Sequence, residues 1–209
     1  MKKLIYKSIL AGLLIGLAAC IYWSVYSSAN GYYTRYLANI SGSFLFSIGL
    51  ISVILLQTNL FTGKIGYVNN KKLLIESLII LVINCITAYL VGLSYRLVFG
   101  VQEAVMQARL NATWYQLLFR GIGTGALIYL AVELKKKYES LLPVVLCVMS
   151  FILAGFQHSI ANCTYFGMAY FSWYGLLGIF IVIIGNSIGS LLIRFLQVKG
   201  SSNNTKLNE

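Results

Sequence analysis

The stretch AGFQHSIAN, residues Ala154–Asn162, decides the fold because it places polar residues and a glycine inside a long apolar segment. In hydrocarbon, every backbone N–H and C=O group must find a partner, so polar non-helical backbone is tolerated only against protein or a water-filled cavity. A second stretch of this kind, QTNLFTG at Gln57–Gly63, ends another apolar segment. The pair predicts two broken helices in an all-α integral membrane protein.

The composition supports a membrane location. Of the 209 residues, 59% are hydrophobic and only 10% are charged, and the mean hydropathy is +0.81, whereas about a quarter of the residues in a soluble domain are charged. Proline occurs once and the apolar residues form long blocks, which excludes collagen-like and disordered low-complexity chains. These values exclude a water-soluble enzyme and indicate one polytopic membrane domain.

Six blocks are long and apolar enough to cross a bilayer, because a hydrocarbon core of about 30 Å needs about 20 helical residues. The predicted spans are Leu4–Tyr26, Tyr36–Leu60, Leu73–Phe99, Thr113–Leu134, Leu141–Tyr170 and Trp173–Gln197. We expect them to form a single six-helix transmembrane domain over residues 1–199, followed by a short polar cytoplasmic tail at 200–209.

Lysine and arginine are distributed unevenly between the predicted loops. If the amino terminus lies in the cytoplasm, the outer side holds only Arg35, Arg96, Arg109 and Arg120. The inner side then holds Lys2, Lys3, Lys7, Lys64, Lys71, Lys72, Lys135, Lys136, Lys137, Arg194, Lys199 and Lys206. This bias follows the positive-inside rule and predicts a multi-pass protein with both termini in the cytoplasm. It also explains the net charge of +11 without a nucleic-acid partner.

The two halves of the chain share a pattern. In each half of three spans, the second span is the one predicted to be broken. The third spans of the two halves are also similar, since INCITAYL at Ile83–Leu90 resembles GNSIGSLL at Gly185–Leu192. With three spans in each unit, successive units enter the membrane from opposite sides. The pattern therefore predicts an inverted 3+3 repeat with a pathway at mid-membrane.

Small residues inside the spans are interpreted as packing positions. The segments Gly12–Gly16 and Gly185–Gly189 fit the small-xxx-small motif that lets helices approach closely. The cysteines, which are Cys20, Cys85, Cys147 and Cys163, are far apart and form no CxxC or Cys/His pairing. Neither a zinc site nor a disulfide framework is indicated, and no cofactor or metal is expected.

Several motifs together resemble one known family. FSIGL at Phe46–Leu50 and NLFTGK at Asn59–Lys64 are similar to the FSxGL and ELFTGN patterns of the formate/nitrite transporter family, and AGFQHSIAN is similar to its GFEHSxAN. RGI at Arg120–Ile122 resembles its RGILCN, and GNSIG at Gly185–Gly189 supports the match. The resemblance implies an aquaporin-like fold of six helices, a homopentamer with one pore per protomer, and a place in the inner (plasma) membrane of a prokaryotic cell.

The sequence departs from the family at positions that bear on function. Asn59 and Gln157 replace acidic residues of the two break motifs, and Thr124 and Gly125 replace the cysteine and asparagine of RGILCN. Substrate choice and any acid-linked gating therefore stay open.

His158 is the only histidine. From the residues alone it is either a buried imidazole that caps broken-helix backbone or a functional group, since an ionisable side chain within the membrane is costly. The resemblance implies a central pore histidine, which supplies a hydrogen bond or a proton to a weak-acid anion.

The resemblance also implies two apolar constrictions around this histidine. It maps Leu50 and Phe61 to one constriction and Phe151 to the other, and Phe46 of FSIGL is a further candidate. Periodicity alone would make all four ordinary core or lipid-facing residues. Constrictions of this kind stop hydrated ions by dewetting, whereas a neutral weak acid can cross.

Three polar residues complete the predicted site, and two asparagines are expected to be structural. Arg109 aligns with a family lysine near the pore, and it is either a solvated loop charge or a cation that raises the local anion concentration. Thr62 and Asn162 offer hydrogen-bonding groups near the breaks. For Asn186, as for Asn84 of the third span, we expect structural hydrogen bonding.

The resemblance implies a channel for small monovalent anions of weak acids, with formate, nitrite, hydrosulfide, acetate and lactate as candidates. A non-conducting membrane assembly or sensor subunit with a degenerate pore is the alternative, because Asn59, Gln157 and Gly125 alter the pore motifs. An intramembrane enzyme is not indicated, since paired carboxylates and a GxSG motif are missing. The two NPA motifs of water channels are missing as well.

Overall fold

The chain is helical along its described length. The computed structural model describes residues 1–204, with the side chains of residues up to 200, and no strand occurs in that range. The helices are α1 (Lys2–Ser27), α2 (Tyr32–Leu55), α3 (Phe61–Lys64, continued by a 3₁₀ turn at Ile65–Tyr67), α4 (Lys71–Phe99), α5 (Ala104–Leu110), α6 (Trp114–Tyr138), α7 (Leu142–Leu153), α8 (Ser159–Met168) and α9 (Trp173–Asn204). The predicted all-α fold is confirmed for residues 1–204.

The helices α1, α2, α4, α6 and α9 are long and apolar enough to cross a membrane. The predicted fifth span, Leu141–Tyr170, is instead divided between α7 with 12 residues and α8 with 10, because its polar middle leaves the helix. The predicted second span, Tyr36–Leu60, likewise stops early, at Leu55. Helix α9 continues to Asn204 and includes the first residues of the predicted tail, whereas 205–209 lie outside the described residues.

The helix ends form two faces. Leu4 of α1, Leu73 of α4 and Lys135 of α6 line one cavity, and we call this side the terminal face because the chain begins there. Tyr26 of α1 and Tyr165 of α8 line a second cavity on the opposite face. Helix α2 continued by α3 leads from the opposite face to the terminal face, and α7 continued by α8 leads the other way. Each pair thus has its interruption between the two cavities.

The helices approach most closely where glycines meet a neighbouring backbone. A Cβ atom on Gly92 of α4 would lie 1.9 Å from the carbonyl oxygen of Thr164 on α8. A Cβ atom on Gly125 of α6 would lie 2.0 Å from the carbonyl oxygen of Asn186 on α9. Only a residue without a side chain permits these approaches, so glycine sets how closely α8 packs on α4 and α9 packs on α6.

Both predicted glycine pairs lie in such contacts. Cβ atoms on Gly12 and Gly16 of α1 would come within 2.9 Å of atoms in α4, and Cβ atoms on Gly185 and Gly189 of α9 would lie 2.5 and 2.0 Å from carbonyl oxygens of α6. The interpretation of these glycines as packing positions is confirmed.

Replacing Gly125 with alanine tests this packing. The added methyl group would overlap the backbone of α9, so we expect Gly125→Ala to lower the free energy of unfolding by about 3 kcal/mol or more. Thermal unfolding of the purified protein in detergent measures the change. Gly200→Ala is the control, because no atom of the described part of the chain lies within 4 Å of a Cβ built there. Equal unfolding midpoints for the two variants would contradict the packing argument.

Candidate functional site

Helix α7 ends beside the opposite-face cavity in a turn that requires glycine. Gly155 has φ +71°, and its N–H donates to the carbonyl of Ile152 at 2.9 Å, while the N–H of Phe156 donates to the carbonyl of Phe151 at 2.9 Å. This pair of bonds is the Schellman motif, which satisfies the last carbonyls of a helix with a left-handed residue just beyond it. The chain then runs non-helically to Ser159.

Helix α2 ends in a second turn of the same type, although no glycine is present there. Gln57 has φ +49°, and its N–H donates to Ile54 O at 3.1 Å while the N–H of Thr58 donates to Val53 O at 3.0 Å. The left-handed conformation is unfavourable for a residue with a Cβ atom. The Nζ of Lys7 donates to the carbonyl of Gln57 at 2.7 Å, and this bond helps to hold the turn.

Asn186 of α9 satisfies the backbone around the α7–α8 break. Its Oδ1 accepts from the N–H of Ser159, the first residue of α8, at 2.9 Å. Its Nδ2 donates to the carbonyls of Gly121 on α6 and Gln157 in the break, both at 2.9 Å. The side chain is fully buried, so one amide joins three segments of chain.

Asn84 of α4 makes the corresponding bonds at the other break. Its Oδ1 accepts from the N–H of Phe61, the first residue of α3, at 2.9 Å. Its Nδ2 donates to the carbonyls of Ser8 on α1 at 2.7 Å and Asn59 at 3.1 Å. These bonds confirm the structural role expected for this residue and for Asn186.

One more backbone bond repeats between the two breaks. The N–H of Asn59 donates to the carbonyl of Lys7 on α1, and the N–H of Gln157 donates to the carbonyl of Arg120 on α6, each at 3.1 Å. Each break is therefore fixed by the same kind of contact to two neighbouring helices.

The two cavities reach the breaks from opposite faces. The terminal-face cavity has a volume of about 650 Å³, and Leu50 and the residues that end α2 line it together with Lys64 and Lys135. The opposite-face cavity has a volume of about 320 Å³, and Arg109 and His158 line it. Buried side chains from the two break regions lie between the cavities.

His158 caps helix α8 and is neutral in this geometry. It is only 3% exposed, and its Nδ1 accepts a hydrogen bond from the N–H of Ala161 at 3.2 Å. An accepting Nδ1 carries no hydrogen, so the ring proton is on Nε2. Nε2 lies 3.1 Å from Oγ1 of Thr62 and donates to it. Thr62 and His158, which were each predicted as site residues, are thus brought together from the two breaks.

Two phenylalanine rings lie one after the other next to His158, on the side of the opposite-face cavity. The ring of Phe151 stacks on that of His158 with centroids 6.1 Å apart, and the ring of Phe46 meets Phe151 edge-on, also at 6.1 Å. Leu50 lies on the wall of the terminal-face cavity, whereas Phe61 is 1% exposed and lines neither cavity. Three of the four predicted constriction residues therefore face a cavity.

Arg109 is not a solvated loop charge. It lies on the short helix α5 and is half-buried, and its Nε donates to Oδ1 of Asn162 at 2.8 Å while Nη1 donates to the carbonyl of Val105 at 2.5 Å. Its guanidinium carbon lies 4.4 Å from the ring centroid of Tyr165. The predicted residues Arg109 and Asn162 are thus in direct contact.

Tyr165 is a site residue that the sequence prediction omitted. Along α8, the residues His158, Asn162 and Tyr165 are separated by four and three positions, which places them on one helix face, and all three line the opposite-face cavity. This helical spacing from the histidine was available in the sequence. The break before α8, which sets where the helix starts, had to be located first.

Comparisons with known proteins agree with this architecture. The family described as "Formate/nitrite transporter" matches residues 1–198. A relative from Bacillus subtilis (strain 168), described as "Uncharacterized transporter YrhG", is 29% identical, and the match covers 73% of this chain and 68% of the relative.

Two solved structures share the fold. An "FNT family ion channel" superposes with a TM-score of 0.84 at 20% identity, covering 94% of this chain and 89% of that chain. A "Pentameric formate channel with formate bound" superposes with a TM-score of 0.76 at 22% identity, covering 99% and 97%.

Removing the amide of Asn186 tests its role at the break. Asn186→Ala would leave the N–H of Ser159 and two carbonyls without partners in a buried region, and each such group costs about 1–3 kcal/mol. We expect a loss of about 3 kcal/mol or more in the free energy of unfolding, measured by thermal or denaturant unfolding in detergent. Ser187→Ala is the matched control, because that hydroxyl bonds only to Ile183 within α9. A variant as stable as its control would contradict the assigned role.

Proposed function

Because the chain belongs to the formate/nitrite transporter family, we propose that it is a membrane channel for small monovalent anions of weak acids. Formate, nitrite, hydrosulfide, acetate and lactate are the candidate substrates. The relative and the structural matches are a transporter and channels, not enzymes. They support transport as the activity.

The proposed architecture is an inverted 3+3 repeat of six membrane crossings with broken second and fifth helices. The corresponding hydrogen bonds of Asn84 and Asn186 support it. Asn84 on α4 joins its break to α1, and Asn186 on α9 joins its break to α6, so each connects a break to the first and third helix of its own half. In this arrangement α3 and α8 start at mid-depth and point toward opposite faces, as in transporters built from inverted repeats.

The observation that carries the proposal is the bond between Thr62 and His158. The two residues come from different breaks, 96 positions apart in the chain, yet their side chains meet at 3.1 Å beside the opposite-face cavity, which His158 lines. Polar groups buried at this depth are costly without a role or a partner. A path that joins the two cavities would pass this pair.

The mechanism follows from the groups along that path. Arg109 attracts an anion into the opposite-face cavity, and the apolar side chains of Phe46, Phe151 and Leu50 oppose the passage of a bare charge. His158 offers the Nε2–H group, and the hydroxyl of Thr62, which accepts that bond, retains its own hydrogen for an anion oxygen. A hydrogen bond from this pair lets the substrate cross as a nearly neutral species; a proton that His158 first takes up from water, and then gives to the anion as the ring returns to its neutral form, lets it cross as the neutral acid.

We further propose that the terminal face is cytoplasmic and that the protein is a homopentamer in the inner (plasma) membrane. Cationic residues of the terminal face, such as Lys64, Lys71 and Lys135, follow the positive-inside rule. One structural match is a pentameric channel, and the exposed apolar surfaces of the helices fit a lipid or subunit environment.

The variant His158→Asn separates proton transfer from structure. Asparagine is a favoured N-cap residue and keeps a hydrogen-bond donor, so α8 stays capped, but it cannot transfer a proton. We expect anion flux to fall by about tenfold or more and its pH dependence to change. Light scattering of proteoliposomes challenged with formate, nitrite or hydrosulfide across pH measures both.

Glycerol and protein-free vesicles are the controls for that assay. Wild-type flux across pH in His158→Asn would remove the histidine from the mechanism. If every solute matches protein-free vesicles although the wild-type protein is a folded oligomer, the channel proposal is wrong, and a non-conducting assembly or sensor subunit becomes the better account.

Thr62 provides an independent test of the same pair. Thr62→Val keeps the shape of the side chain but removes the hydroxyl that accepts from His158, whereas Thr62→Ser keeps the hydroxyl. We expect the valine variant to lose most of the anion flux in the proteoliposome assay and the serine variant to stay within about threefold of wild type. Equal flux in both variants would show that the hydroxyl is dispensable.

A further inference from the structure

The opposite-face cavity contains an arginine whose orientation is fixed. Nε of Arg109 donates to Asn162, Nη1 donates to the carbonyl of Val105, and the ring of Tyr165 lies 4.4 Å from the guanidinium carbon. A guanidinium has five N–H groups in a rigid plane, so three stay free after these two bonds. The two bonds and the position of the guanidinium over the ring limit the directions in which those three can donate.

The same cavity offers other hydrogen-bond donors without acceptors. Tyr165 is 4% exposed and lines the cavity, and its hydroxyl makes no hydrogen bond within the part of the chain that the structure describes. The Nδ2 group of Asn162 also has no acceptor among these residues, because only its Oδ1 is engaged, by Arg109. Both residues line the cavity, so these donors are placed to bind a ligand that accepts hydrogen bonds.

The charge around these donors favours an anion. Among the described residues that line the cavity, Arg109 is the only charged side chain and no aspartate or glutamate is present. The remaining walls are largely aromatic or aliphatic, including Trp23 and Phe151. Apolar walls lower the local dielectric constant and strengthen the attraction between the guanidinium and an anion.

We propose that Arg109, Asn162 and Tyr165 form a binding site that prefers planar oxyanions, such as carboxylates and nitrite, over spherical anions, such as chloride and hydrosulfide. A guanidinium held in one plane donates two parallel hydrogen bonds to a planar group with two oxygens, whereas a single-atom anion accepts them less well. Tyr165 acts as a positioning residue because its ring holds the plane of the guanidinium.

This site deepens the proposed function and rests on it for the identity of the transported anion. His158 lies one helical turn from Asn162 on the same face of α8. An anion bound by the guanidinium therefore lies next to the histidine, and the site acts as a filter for the shape of the anion before the apolar constriction.

Equilibrium binding to the purified full-length protein in detergent tests the proposal. The probes are sodium formate, sodium nitrite and sodium chloride at equal ionic strength, and the readout is the ligand-dependent shift of the thermal unfolding midpoint, converted to Kd. We expect wild-type protein to bind formate and nitrite about tenfold more tightly than chloride.

Three variants assign that preference to the proposed residues. Arg109→Lys keeps the charge but loses the planar fork, so chloride binding should stay and the tenfold preference should disappear. Tyr165→Phe keeps the ring and should retain the preference, whereas Tyr165→Leu should reduce it to about twofold or less. Arg35→Lys, on the same face but outside this cavity, is the matched control and should behave as wild type.

The outcomes separate this site from the channel function. Equal affinities for formate and chloride in the wild-type protein, or an unchanged preference in Arg109→Lys, would overturn the site even if anion flux is observed. A tenfold preference that depends on Arg109, combined with no flux in proteoliposomes, would support the site and overturn the channel function. Unfolding midpoints without ligand show whether each variant is folded.

Discussion

Two asparagine side chains satisfy the backbone where helices stop inside the apolar interior, and the rest of the structure depends on them. Unpaired N–H and C=O groups at this depth would cost several kcal/mol each. Because Asn84 and Asn186 each bind one N–H group and two carbonyls, helices α3 and α8 can begin there. That start places Thr62 and His158 opposite each other and leaves a cavity on each side.

The sequence was sufficient to predict the all-α membrane fold and the positions of the two breaks, because the signals for both are local. Hydropathy, charge bias and the break motifs are local signals, and they located the all-α membrane fold, the interruption near His158 and the packing glycines. The left-handed turn at Gln57 was not predictable, because the stabilising bond comes from Lys7, 50 positions away. The contact between Arg109 and Asn162 likewise depends on how α5 folds over α8.

The two cavities differ in their electrostatics, although the breaks between them are alike. Lys64, Lys135 and Lys136 line the terminal-face cavity together with Glu76, so several charges of both signs share a wide space. In the narrower opposite-face cavity, Arg109 is the only charged residue of the described lining, and its partners hold it in place. The first arrangement suits general attraction of anions, and the second suits recognition of one anion at a time.

In the proposed channel, the cap of helix α8 would also limit how strongly the pore can retain an anion. Since Nδ1 of His158 accepts from the N–H of Ala161, a second ring proton would break the cap and leave that N–H unpaired. In the proposed channel, a stable imidazolium at His158 would form an ion pair with each anion and slow its release, whereas conduction requires weak binding. By disfavouring a full positive charge on the ring, the backbone would then shorten the residence time of the anion.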